Sequence, residues 1–167
     1  MPPLLLDDDE VIAVSVGLRT ATGAGVAGIE EASLRALVKL EQLMPSRLRH
    51  RIDAIRNATV SVVGTGPTVD PDALSAIAGA IRASERLRFD YVDYDGNQTV
   101  RTAEPERLVV WGRRWYLLAW DVARDDWRTF RVDRITPKLP TGPRFKPRTL
   151  SDHEASAYVQ RSAGAAT

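Results

Sequence analysis

Residues 86–135 read RLRFDYVDYDG (86–96), NQTV (97–100), RTAEPERLVVWGRRWYLLAWD (101–121), VARDD (122–126) and WRTFRVDRI (127–135). Leu87, Phe89 and Tyr91 alternate with Arg86, Arg88 and Asp90, the period of a strand with one buried face. Asp95-Gly96 supplies a hairpin turn, since glycine accepts the positive φ such turns need. Three further apolar runs follow, Leu108–Trp111, Trp115–Trp120 and Trp127–Val132. Gly112-Arg113-Arg114 and Val122–Asp126 separate them and are short enough to join antiparallel neighbours. All four tryptophans of the chain lie here. About five strands in some fifty residues predict a small, strongly curved sheet or barrel.

The same stretch carries a family resemblance. Trp115-Tyr116-Leu117, with Pro105 and Leu108 upstream and Phe130-Arg131-Val132-Asp133-Arg134-Ile135 downstream, resembles a WYL domain. The resemblance implies an α+β fold with a small Sm-like, SH3-type antiparallel β-barrel behind a helical linker. It also implies the effector-sensing part of a bacterial transcription regulator.

The chain has 167 residues, enough for one domain or for a small domain with a helical annex. Its net charge of +1 conceals an uneven distribution. Residues 82–148 hold 15 Lys/Arg against 10 Asp/Glu, whereas residues 1–81 hold 7 against 10. The positive surplus therefore belongs to the strand-rich part, where it is mostly arginine; a scattered solvated surface would read the same way. Cysteine is absent, which excludes disulfides and thiolate metal sites. No run of about 18 apolar residues and no signal-peptide pattern occur, so the expectation is a soluble, cytoplasmic chain without membrane contact.

Upstream, Asp7-Asp8-Asp9-Glu10 before VIAVSVGL reads as a helix N-terminus, where carboxylates face the positive end of the dipole. A carboxylate metal site would need a second ligand cluster, and none accompanies it. Gly23-Ala24-Gly25-Val26-Ala27-Gly28 spells the dinucleotide fingerprint, but a helix precedes it instead of a strand, so it reads as an inter-helix loop. Leu34, Leu37, Leu40, Leu43 and Met44 give a helix over 29–44, and Leu48, Ile52 and Ile55 a third, basic one to about Arg56. That basic run could contact DNA or be a solvated face; the long preceding helix and the missing glycine turn speak against a helix-turn-helix. Residues 59–63 read as a short strand. Asp70-Pro71 sets the cap and first position of a core-facing helix to about Ser84, carrying Leu74, Ile77 and Ile81. Residues 136–150 are basic, proline-rich and expected to be extended; 151–160 suit a last short helix, and 162–167 should be disordered.

The expected organisation is a helical linker and dimerisation region at 4–66, the WYL domain at 67–145 and a partly disordered C-terminal extension at 146–167. The helices of 7–56 carry more apolar surface than they can hide alone, which predicts a homodimer. Regulators of the resembling family place a winged helix-turn-helix ahead of the domain. Residues 1–66 contain none, so the chain reads as an excised fragment whose duplex DNA contact would need that other domain.

Catalytic patterns are missing: His50 and His153 stand in separate segments, and no GxSxG, HExxH or Walker sequence occurs. No enzyme, cofactor or metal is expected. Arg101, Arg128, Arg131 and Arg134 fall on strands or strand ends near Tyr91, Tyr116 and Trp127, the residue types that bind phosphate and stack bases. Arg131 and Arg134 are three apart and converge only if the strand bends or ends near Asp133. A purely structural alternative pairs Arg134 with Asp133 or Asp121. The resemblance implies an anionic ligand, a nucleotide or single-stranded DNA, at Tyr91, Arg101, Arg131 and Arg134. Asp93 stands where the family commonly has a small hydroxyl residue, and a carboxylate there would repel phosphate. A protein–protein assembly module without a small ligand is the competing reading.

Overall fold

The structure is a computed structural model describing residues 5–58, 66–138, 141–148 and 150–164, without the side chains of 55, 56 and 162–164. The strand expected at 59–63 lies outside the described residues. The chain divides into two compact units, 1–65 and 66–167.

The first unit is helical: α1 Asp8–Ala21, α2 Ile29–Leu43 and α3 Ser46–Ala58. Asp7 caps α1 in a capping box: its carboxylate accepts from the Asp9 and Glu10 backbone, and Glu10 answers from the third position. The glycine-rich stretch lies in the connection between α1 and α2, as its context required. Met44, Leu48 and Ile52 form a small buried core with Val11, Ile12 and Leu40 around it. Arg47–Asp8 and Arg19–Glu41 tie the helices at their surface.

The second unit opens with α4 Pro71–Ala83, capped by Asp70 and closed by Ser84 at φ 52°. Its apolar face, Ala73, Ile77 and Ala80, meets a five-stranded antiparallel sheet: β1 Leu87–Val92, β2 Gln98–Trp111, β3 Arg114–Asp121, β4 Asp126–Arg131 and β5 Ile135–Lys138. The strand order is β4-β3-β2-β1-β5. The α+β class and the five antiparallel strands match the expectation. The sheet is not closed: β4 and β5 are joined by a 3-10 turn, Val132–Arg134, and share no ladder.

β2 is longer than the apolar run 108–111 suggested. Its first half pairs with β1 and its second with β3, and the register shifts between Pro105 and Arg107. Proline cannot donate to a ladder and is at home in such a bulge, so one strand bends and serves two neighbours. Leu87, Phe89, Ala103, Leu117, Ala119 and Phe130 face inward with Ile77 and Ala80 of α4. Strand alternation puts Leu118 and Trp120 on the opposite side.

The proline-rich segment is extended and fixed. Gly142 N–H donates to the Arg86 carbonyl at 2.7 Å, Arg86 N–H to Pro143, and Phe145 N–H to Ser84. A Cβ at Gly142 would stand 3.1 Å from the Arg86 Cβ and 3.2 Å from its carbonyl oxygen, a crowded contact that glycine avoids where the two chains approach. Arg148 then ion-pairs with buried Glu104 and lies 4.3 Å over the Trp120 ring. The last helix, α5 Asp152–Gly164, extends past Gln160, and 165–167 lie outside the described residues. Its Tyr158 hydroxyl donates to the Trp127 carbonyl at 2.5 Å, so α5 is anchored on the free edge of β4.

Candidate functional site

The sheet's open seam gathers three of the six residues singled out in the sequence. Tyr91, near the end of β1, packs its ring edge-on against Phe130 at 5.2 Å, and its hydroxyl lies 3.5 Å from the Arg131 backbone N–H. Arg131 is the last residue of β4 and stands directly opposite Tyr116 of β3. Both phenols are near enough to act on the Arg131 charge. The strand ends at Arg131 and turns through Val132–Arg134, one of the conditions the spacing of Arg131 and Arg134 demanded.

Asp133 takes the Arg131 guanidinium, with Nε 3.1 Å from one carboxylate oxygen and Nη2 2.7 Å from the other. This hydrogen-bonded pairing is the main reason the guanidinium is held above its ordinary pKa, against the opposing effect of burial. The structural alternative therefore has its partners exchanged: Asp133 pairs with Arg131, and Asp121 with Arg101, not with Arg134.

Arg101 lies opposite Phe89, so alternation turns it inward, toward the same side as Asp121. Asp121 is fully buried; one oxygen accepts from Ala123 N–H, and the other has no hydrogen bond, its cation being Arg101 Nη1 at 3.6 Å. Arg101 reaches Tyr91 only indirectly: Nε donates to the Thr99 hydroxyl, which donates to the Tyr91 carbonyl. Arg134 stands over the exposed Tyr94 ring at 6.0 Å, beside the β1–β2 turn. Arg128 is in a different place, a cleft of about 270 Å³ lined with Asp126, Trp127, Thr129 and Tyr158. Two of the expected base-stacking rings pack edge-on against other aromatic rings: Tyr91 with Phe89 and Phe130, Trp127 with Trp120.

Asp93 has turn work to do. Its carboxylate accepts from the backbone N–H of Asp95 and Asn97 and from the Asn97 side chain. The Asn97 backbone bond is the largest influence holding its pKa below the usual carboxylate value. Sequence reasoning missed Tyr94, an exposed aromatic in a turn, and had no means to see that Asp121 is buried. Among the described residues no cluster of three metal-ligating side chains occurs, and no helix is long and apolar enough to cross a membrane.

Residues 72–137 match the WYL domain family. The chain is 32% identical over 138 residues to Protein PafC of Mycobacterium leprae, covering 80% of this chain and 40% of that protein. It is 36% identical over 76 residues to the DNA-binding transcriptional repressor CapW of Escherichia coli, covering 45% of this chain and 25% of the repressor. Among solved structures it is similar to proteasome accessory factor B/C (PafBC) of Arthrobacter aurescens, at TM-score 0.38 and 23% identity over 89% of this chain and 23% of that one. The chain thus spans about 40% of the length of the PafC relatives it matches.

Proposed function

We propose that this chain, whose residues 72–137 are a WYL domain, is the effector-sensing and oligomerising part of a transcription regulator. Its ligand in this reading is anionic, a nucleotide or single-stranded DNA. The observation that carries it is the placement of Arg131 at a seam of the sheet, beside the phenols of Tyr91 and Tyr116. An arginine fork with hydroxyls beside it binds phosphate oxygens directionally. Arg134 over Tyr94 adds a cation and an accessible ring at the neighbouring turn. The similarity to a protein named as a transcriptional repressor supports regulation over catalysis.

Self-association through the first unit belongs to the same proposal. Leu34 and Val38 lie one turn apart on α2 and are about half exposed, and Leu43 is 83% exposed. Light scattering should show a dimer; a strict monomer at high micromolar concentration refutes that part.

A titration of the chain with labelled single strands and mononucleotides at two salt concentrations tests the ligand class. Affinity should fall with salt as phosphates release their counterions. Arg131→Ala should weaken binding by about 1.5–3 kcal/mol, the worth of a hydrogen bond to a charged group. No binding across that panel refutes the nucleotide reading and favours an assembly module.

A further inference from the structure

We propose that Asp133 is a positioning residue: it grips Arg131 from the side and thereby fixes the free end of the fork as a receptor for one phosphate group. This rests on the ligand reading above and names how the site selects.

Arginine offers five N–H groups in a rigid plane. Asp133 engages the side-on edge, Nε at 3.1 Å and Nη2 at 2.7 Å. One N–H of Nη1 and the second of Nη2 form the end-on edge, while the other Nη1 N–H points back alongside Cδ. Among the described residues no hydrogen bond is made by Nη1, and that atom is not among the buried unpaired ones. The Arg131 side chain is 21% exposed, and the unoccupied edge is the part of it left for a ligand. Its breadth suits two oxygens of one phosphate.

The fork is held at both ends. The Arg131 backbone N–H is within reach of the Tyr91 hydroxyl, and the guanidinium is fixed by a carboxylate only 8% exposed. Arg131 ends β4 and Asp133 is the middle residue of the 3-10 turn that follows, and this tight turn draws the two side chains together. A side chain immobilised before binding loses less entropy when the ligand arrives.

The pairing also alters the selection rule. Arg131 and Asp133 together carry no net charge, so this receptor attracts by geometry and not by field. A lysine at 131 would keep the charge and lose the fork. If Asp133 were instead a competitor for the ligand's place, it would be expected on the edge the ligand needs. It occupies the other edge.

The test uses the full chain with a short thymidine oligonucleotide carrying a 5′-phosphate, the same strand without it, and inorganic phosphate. Binding is measured at about 50 and 200 mM salt. The phosphorylated strand should bind about tenfold tighter than its unphosphorylated counterpart. Arg131→Lys and Asp133→Asn should each remove about that tenfold preference. Asp133→Asn should also steepen the salt dependence, because the site gains a net positive charge. Thermal melts confirm that each variant is folded.

A folded Asp133→Asn that binds as well as the wild type, or tighter, overturns positioning in favour of competition or neutrality. An undiminished preference for the phosphorylated strand in Arg131→Lys overturns the fork. Should Asp133→Asn fail to fold, Arg131→Lys and the ligand-free protein still decide. The Arg131 guanidinium signals in NMR should show slowed rotation and exchange relative to exposed Arg128, and identical behaviour overturns the proposal. A held fork with no probe bound overturns the phosphate class and the ligand reading together, leaving only the pairing itself.

Discussion

Arg101→Ala should damage stability more than recognition, and the reason is Asp121. That carboxylate is 0% exposed, has one oxygen without a hydrogen bond, and faces Arg101 Nη1 at 3.6 Å. At this distance and an effective dielectric of about 20, the attraction is about 4–5 kcal/mol. Removing one partner of a buried pair strands the other, at a net cost of about 3–5 kcal/mol. Asp121→Asn should cost less, about 1–2 kcal/mol, since Arg101 keeps its bond to Thr99 and is itself 17% exposed. The double variant Arg101→Ala/Asp121→Asn should recover much of the loss, having no buried charge to strand. In a unit of about 100 residues each kcal/mol moves the midpoint by about 4–8 °C, so Arg101→Ala should melt at least ~12 °C lower. Urea unfolding followed by tryptophan fluorescence, with thermal melts in parallel, measures all three variants. An Arg101→Ala protein within about 0.5 kcal/mol of wild type refutes the reasoning. So does a double variant no more stable than the single one.

Arg148→Ala leaves Glu104 to Arg86 alone and uncovers the Trp120 ring; a loss of about 1–2 kcal/mol and altered tryptophan emission are expected, and an unchanged spectrum contradicts the stacking. Tyr158→Phe should cost about 1 kcal/mol and raise protease cleavage in residues 150–164, because α5 loses its bond to the β4 edge. Asp93 has a folded pKa below its ordinary one, so its contribution is present above the unfolded value of about 3.9 and lost as pH falls through the folded value. Asp93→Asn should therefore flatten the stability profile below about pH 4, and an unaltered acid limb contradicts this.

Much of the fold could be read in the sequence, because local signals and burial agree there. Asp70-Pro71 opens a helix, Asp95-Gly96 lies in a turn, and the alternation through Leu87, Phe89 and Tyr91 survives as the inward face of β1. The length of β2 was hidden, since Glu104-Pro105-Glu106 looks like an interruption. Tertiary pairing turns the proline into a bulge instead, and Glu104 is buried beneath two arginines. The geometry of the candidate site was half legible. Residue types and strand ends pointed to Arg131 and the tyrosines, but which carboxylate meets which arginine depends on a local turn for Arg131 and on cross-strand register for Arg101. Asp121 and Arg101 are twenty residues apart in sequence and meet because β3 pairs with β2 in a register that sets Asp121 opposite Ala103, two residues from Arg101.

The two paired arginines show why counting charge along the chain misleads. The strand-rich part has a surplus of five positive charges, yet two of its four candidate ligand arginines, Arg101 and Arg131, add nothing to that surplus. Arg101 is neutralised by Asp121 and Arg131 by Asp133, while Arg86, Arg107, Lys138, Arg144 and Arg148 also have carboxylate partners. What differs is how each pair is held. The Arg101 pair is inward-facing and loose, so its arginine compensates a charge that folding has already trapped. The Arg131 pair is local, tight and at a seam, with one edge of its fork not taken by Asp133. A field spread over many bare arginines would attract any polyanion. A fork fixed by its own carboxylate recognises the shape of one group, and that distinction suits a sensor better than a general nucleic-acid surface.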